Sequence, residues 1–341
     1  MSLLYAGGVD VRNCTLAVFF GRHHHDRNMI LGAMVAVLLT AFWGVGAQQA
    51  PVPGGRGGAR GPSGPPEPTP RLADGTPNLG RVPGEKGVWS VPYITNMGER
   101  VVEADGTTAM ERRIAQGRGG RGGGRADAPL GGGEGTGGGA RGGSKSEPQV
   151  PFQPWAAAIY DYHSKNQSKY DPEGYCLPPG GPRLMATPYP MEIVQIPEQK
   201  RIVMMFEGAT HIWREIYMDG RAHPDGDALN PTYLGHSVGH WDGDTLVVDI
   251  VGFNEQTWID YFGHPHTDML HVVEKFSRPN KNQLRYEATF DDPGAYTRPF
   301  TVRWNIPWNP NGELTEYICQ ENNKYLQSLT DDFGQPIFKK Q

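Results

Sequence analysis

The chain has 341 residues, enough for two domains by length, but its 47 glycines and 30 prolines gather mostly in the first half and leave sequence for about one packed domain. Its 32 basic and 37 acidic residues give a net charge of -5. That balance holds no global basic excess, so neither nucleic acid nor an anionic membrane surface is an implied partner.

Near the N-terminus, "MILGAMVAVLLTAFWGVGAQQAPVP" begins at Met29 with an apolar run from Ile30 to Val45, followed by Gly46 and Ala47. This is the pattern of a signal peptide cleaved after Ala47, so residues 1–47 are read as leader, with 1–28 a mis-called start if Met29 is the initiator. The run is shorter than the about 20 apolar residues a spanning helix wants, so no stable membrane insertion is expected after cleavage. The implied location is periplasmic or extracellular. Residues 48–70 are a Pro/Gly tether. Residues 71–116, which carry Val88, Trp89, Val91, Tyr93 and Ile94, form a segment able to dock on a larger body but not to make a core alone. Residues 117–150 read as a disordered Gly/Arg-rich linker; interleaved Arg and Gly can bind single-stranded RNA, which an exported protein does not meet.

The compact β-domain is expected over residues 151–330, with 331–341 as a tail. One helix is expected, around Trp155–Lys165, followed by a Pro-rich wrap. Strands are expected at Met191–Ile196, Arg201–Glu207, His211–Met218, Leu234–Trp241, Thr245–Ile250, Met269–Phe276, Gln283–Phe290, Phe300–Ile306 and Leu314–Cys319, from period-two alternation and β-branched and aromatic enrichment. Asp242-Gly243 suits a tight hairpin turn. With no βαβ alternation, the fold class is mainly β: an antiparallel meander closing into a lipocalin-like barrel or a two-sheet sandwich, behind a disordered Gly/Pro-rich N-terminal half. If Cys14 leaves with the leader, Cys176 and Cys319 remain as a pair suited to a disulfide in an oxidising compartment, worth about 4 kcal/mol in the chain-entropy model. The bland alternative is two buried thiols.

Gly235-His236-Ser237-Val238-Gly239 spells G-x-S-x-G, the pattern of an esterase nucleophile elbow. An elbow needs strand, turn and helix in that order, and the sequence after Ser237, "VGHWDGDTLVVDI", reads as a turn and a β-branched strand. Ser237 is therefore expected in a hairpin arm. The stretches "ADGTPNLGRVPGEKGVW", "CLPPGGPRLMATPYPMEIVQ", "GHSVGHWDGDTLVVDIVGFNEQTWIDYFGHPHTDMLHVVEKF" and "FDDPGAYTRPFTVRW" resemble those of an uncharacterised family of exported soil-bacterial proteins. The resemblance implies export and a β-rich fold and supplies no catalytic residues.

Chemistry could come from the histidines. His236, His240, His264 and His266 are candidate ligands for a divalent ion such as Zn²⁺ or Cu²⁺. On a regular strand His236 and His240 share a face but stand roughly 13 Å apart, which needs a bend at Gly239. His264, His266, Asp268 and Glu274 are candidate acid–base groups. The bland reading of these imidazoles is turn capping or hydrogen bonding in a polar interior. Aromatic and polar side chains that could line a ligand site are His211, Trp213, Trp241, Trp258, Tyr261 and Phe262. Three functions remain open: binding of a small apolar, aromatic or sugar-like molecule in or at the mouth of the barrel; a His-dependent hydrolase or isomerase, with or without a metal; and a surface or assembly module, supported only by the long tether.

Overall fold

The computed structural model describes residues 65–115, 150–166, 169–208, 212–321 and 323. The leader, most of the tether, the Gly/Arg-rich linker and the C-terminal tail lie outside these residues, and so does His211. Among the described residues the chain is mainly β, and nine strands close into one barrel in the order β1 to β9. The strands are β1 (Val88–Ser90), β2 (Pro190–Ile196), β3 (Arg201–Phe206), β4 (Trp213–Tyr217), β5 (His236–Asp242), β6 (Thr245–Val251), β7 (His271–Asn280), β8 (Gln283–Asp291) and β9 (Phe300–Asn309). Among the described residues three α-helices accompany them: α1 (Ala109–Ala115), α2 (Pro154–Asn166) and α3 (Gly181–Leu184). None of the described helices is long and apolar enough to cross a membrane.

The alternation that suggested strands also sorts their side chains. In β6 Leu246, Val248 and Ile250 are buried while Thr245, Val247, Asp249 and Val251 are half-buried, and β8 buries Leu284, Tyr286, Ala288 and Phe290 in the same rhythm. These residues join Met191, Met204, Ile216, Phe276, Val302 and Trp304 in one continuous core. The interior is thus packed with side chains, as expected for a barrel of this size.

The sandwich alternative does not occur, and the all-antiparallel meander needs one correction. Eight neighbouring pairs are antiparallel, whereas β4 and β5 run parallel. A ring with an odd number of strands cannot alternate direction all the way round, so one parallel pair is a geometric requirement. The chain meets it with a long crossover over 218–235, which holds a short 3₁₀ turn at Gly226–Ala228 and an isolated parallel bridge from Thr232 to Phe253.

Two further differences share one cause. The strand expected at Leu314–Cys319 is irregular chain, and Val88–Ser90, expected as part of a docking segment, is a strand of the wall. Trp89 pairs with Met191 on one side and Trp308 on the other, so β1 occupies the edge of β9 that a later strand would need. The Trp89 indole donates to the Leu79 carbonyl at 2.7 Å and meets the Trp308 ring edge-on at 4.9 Å.

Helix α2 covers the expected Trp155–Lys165 and starts with Pro154 at its first turn, where a missing N–H costs nothing. Helix α1 was not expected. Its signal is a capping box, in which the Glu111 carboxylate accepts from the Thr108 N–H at 2.7 Å and Thr108 Oγ1 accepts from the Glu111 N–H at 3.1 Å. The β5–β6 hairpin turns on Gly243-Asp244, one residue later than expected, with Gly243 at φ +57°. Glycine at the first central position with positive φ is the type II′ arrangement. A disulfide joins Cys176 and Cys319, tying the 3₁₀ turn Pro172–Tyr175 to the irregular chain after β9.

Candidate functional site: the seam between β4 and β5

The parallel pair is a short junction of the wall. It is held only through Ile216 opposite Ser237 and Tyr217 opposite Val238. Above that contact the upper half of β4 faces the crossover instead of a strand, and a cavity of about 510 Å³ opens there. Trp213, Tyr217, Leu229, Tyr233 and His236 line it from the outer face and the crossover, and Arg214 and Ser237 line it from the barrel interior.

Arg214 sits at an inward position of β4 and is only 3% exposed. One corner of its guanidinium is engaged: Nη2 donates to Glu274 Oε2 at 2.7 Å and lies 3.2 Å from the Met204 sulfur. Glu274 is fully buried and its other oxygen accepts from the Tyr286 hydroxyl at 2.7 Å. Burial and the adjacent carboxylate push the Tyr286 hydroxyl well above the ordinary phenol range, so it remains a donor. Nε and Nη1 of Arg214 and the hydroxyl of Ser237 have no hydrogen-bond partner among the described residues. Leaving a buried donor unsatisfied costs about 1–3 kcal/mol.

The G-x-S-x-G stretch is accounted for by this wall. Ser237 is the second residue of β5, opposite Ile250 and Ile216, and the strand β6 follows it where an elbow would need a helix. Gly235 adopts φ +67° and a Cβ there would come within 2.8 Å of the Val251 carbonyl oxygen; a Cβ on Gly239 would meet the Met218 sulfur at 2.7 Å. Both glycines serve close packing at the seam.

On the outer face a chain of polar contacts runs across β7, β6 and the crossover to β5. His271 Nε2 and His223 Nε2 both meet Asp249 Oδ1, at 3.1 and 2.9 Å, and His223 Nδ1 lies 2.8 Å from His236 Nδ1. Tyr217 stacks on the His236 ring at 5.3 Å, and Arg221 sits 3.8 Å over the Tyr217 ring. Burial, then the charges of His223 and Arg221, lower the pKa of His236 below the usual imidazole value.

The expected acid–base and metal residues are not brought together. His264 is buried, with Nδ1 2.8 Å from Asp260 Oδ2, an ion-pair contact when the ring is protonated, and is packed against the Tyr160 and Phe152 rings. Asp260 also accepts from the backbone N–H groups of Met97, Gly263 and His264. Burial alone would raise its pKa; the His264 charge and these bonds outweigh burial and hold it below the usual carboxylate range. His266 turns away from His264, with Nε2 at 2.7 Å from Thr257 Oγ1 and Nδ1 at 3.1 Å from the Thr267 carbonyl. Asp268 is exposed, Glu274 points into the barrel and His240 is exposed at the far end of β5. Among the described residues no group of three or more His, Cys, Asp or Glu is arranged to hold a metal ion. A buried imidazole finds its partner in the nearest loop, and here each loop histidine has a different one.

Of the aromatic candidates, Trp213 lines the seam cavity and is 60% exposed. Trp241 packs on the core, Trp258 stacks on His163 at 4.0 Å, and Phe262 is half-buried with its N–H on the Thr95 carbonyl. Tyr261 lines a separate cavity of about 430 Å³ with Tyr93, Tyr189 and Tyr317, over the buried Arg183–Asp171 pair. Sequence reasoning missed Arg214, His223 and Asp249. Arg214 carried a signal: it shares the parity of Ile212 and Ile216, and a charge on the apolar face of a strand marks a buried ion. Comparison with protein-family models, curated proteins and solved structures finds no match to this chain.

Proposed function

We propose that this domain binds a small molecule in the β4–β5 seam, and that the ligand is an uncharged aromatic or sugar-like compound carrying a carbonyl or hydroxyl acceptor. The observation that supports this reading is that Arg214 and Ser237, which line the cavity, carry buried donors without a partner among the described residues. The positive charge of Arg214 is already matched by Glu274 at 2.7 Å. An added anion would leave a net buried charge, whereas a neutral acceptor satisfies the donors without one. Trp213, Tyr217 and Tyr233 offer flat surfaces for the body of such a ligand. In the same reading the protein is exported, a location that suits its disulfide.

A neutral carbonyl-bearing fluorophore, 6-propionyl-2-(dimethylamino)naphthalene, tests the site. It is expected to bind with a blue-shifted emission, and Ser237→Ala is expected to weaken binding by about 2- to 12-fold, the worth of one hydrogen bond. Ala228→Trp, which fills the cavity from the crossover, is expected to abolish binding. Equal binding by wild type and both variants would sink the assignment.

A further inference from the structure

The relay on the outer face ends at the seam cavity, and elementary donor–acceptor accounting fixes its direction. A carboxylate only accepts, so His223 Nε2 and His271 Nε2 carry the protons they share with Asp249 Oδ1. A neutral His223 then has its lone pair on Nδ1. The 2.8 Å contact to His236 Nδ1 needs one proton between the two nitrogens, and His236 must supply it. That leaves the lone pair of neutral His236 on Nε2, a nitrogen with no hydrogen bond among the described residues, on a side chain that lines the cavity.

We propose that His236 is a general base toward a carbon acid or hydroxyl of a neutral aromatic ligand held in the β4–β5 cavity, with His223 and Asp249 as positioning residues. The proposal rests on the ligand-binding reading above. When Nε2 takes a proton from the ligand, the Nδ1 proton of His236 can move toward His223 Nδ1, and the His223 Nε2 proton toward Asp249, so the charge spreads without movement of heavy atoms. His271 holds the carboxylate from its other side. The groups facing His236 are Tyr217, Arg221 and His223, with Glu215 also on the cavity wall and Asp249 and His271 behind His223. The lowered pKa of His236 keeps the ring neutral, and therefore basic, at neutral pH. Ser237 takes no part as a nucleophile, because its hydroxyl has no base against it among the described residues, His236 pointing to the opposite face of β5.

The probe is 5-nitrobenzisoxazole, a neutral aromatic carbon acid. Loss of its C3 proton to His236 Nε2 turns the C–H electron pair into the nitrile as the N–O bond breaks, releasing a coloured cyanonitrophenolate; the imidazolium then returns its proton to water. With the full chain, saturable turnover is expected, rising with pH through one ionisation below the usual imidazole value of 6.5. His236→Gln is expected to lower kcat/KM by about 100-fold or more. Asp249→Asn is expected to lower kcat by about tenfold or more and to shift the pH profile, since it removes the carboxylate that fixes the tautomer. Displacement of the naphthalene fluorophore by the probe, measured alongside, separates the two claims. Displacement without turnover, or turnover that His236→Gln retains, overturns the general base alone. No displacement and no turnover, with the fluorophore bound, overturns the base alone, and failure of the fluorophore itself to bind overturns the binding site and the base together.

Discussion

Burial and close polar contacts together set the charge of several side chains of this protein, and pH should expose them. Burial lowers the pKa of His266 below its usual 6.5, with the Thr267 carbonyl and nearby carboxylates opposing, and burial lowers His163 in the same direction. A histidine whose folded pKa is depressed contributes stability that is complete above the unfolded value and is lost as pH falls through the folded one. Asp260, also depressed, contributes stability above its ordinary 3.8 that is lost as pH falls further. The urea midpoint is therefore expected to stay level from about pH 8 to 7, to decline below about 6.5, and to decline again in the carboxylate range. His266→Gln should flatten the first decline. An unchanged first decline in that variant would show that His266 is not buried neutral.

At the level of elements, the barrel depends on its shortest strand. β1 contributes three residues, yet it alone joins β2 to β9. Trp89 is fully buried at that junction, between Trp308 and the Arg278 guanidinium, whose carbon lies 4.9 Å from the Trp89 ring. Arg278 reaches this position from the irregular pairing of β7 with β8 around Pro279, a residue that cannot donate to the ladder. Trp89→Ala is expected to destabilise the fold by about 3–5 kcal/mol in urea unfolding. It is also expected to raise amide exchange along β9 and β2 before β6 and β7. Uniform exchange in the variant would mean that β1 does not close the wall. The crossover between β4 and β5 is the other element-level device, because it supplies the parallel pair and also walls the seam cavity.

For the whole molecule, the Cys176–Cys319 disulfide closes a loop with a sequence separation of 143 that contains β2 through β9. Removing it frees the unfolded chain more than it disturbs the barrel, because neither cysteine is in a wall strand. The double variant Cys176→Ser/Cys319→Ser is expected to lose about 2–4 kcal/mol of stability while keeping a native near-ultraviolet circular dichroism spectrum. A lost spectrum at neutral pH would instead make the bridge a requirement of the fold.

Parity along the strands carried most of what could be read in advance. Period-two patterns located β2 through β9 to within a few residues, and the same parity sets His271 and Glu274 on opposite sides of the wall. They could not locate β1. Three residues between Gly87 and Val91-Pro92 show no period, and their partners are a hundred positions or more away. The same limit hid the site. Arg214 with Glu274, and His223 with Asp249 and His236, are pairs across strands or between strand and crossover, so they exist only once the register is set. The loop histidines were conspicuous because they are close in sequence, and closeness in sequence let His264 and His266 find separate partners. Local alternation and turn chemistry thus determined a β-protein and a serine inside a strand. Closure, the obligatory parallel pair and the cavity beside it were decided by tertiary structure, because a ring of nine strands imposes a condition that no single segment contains.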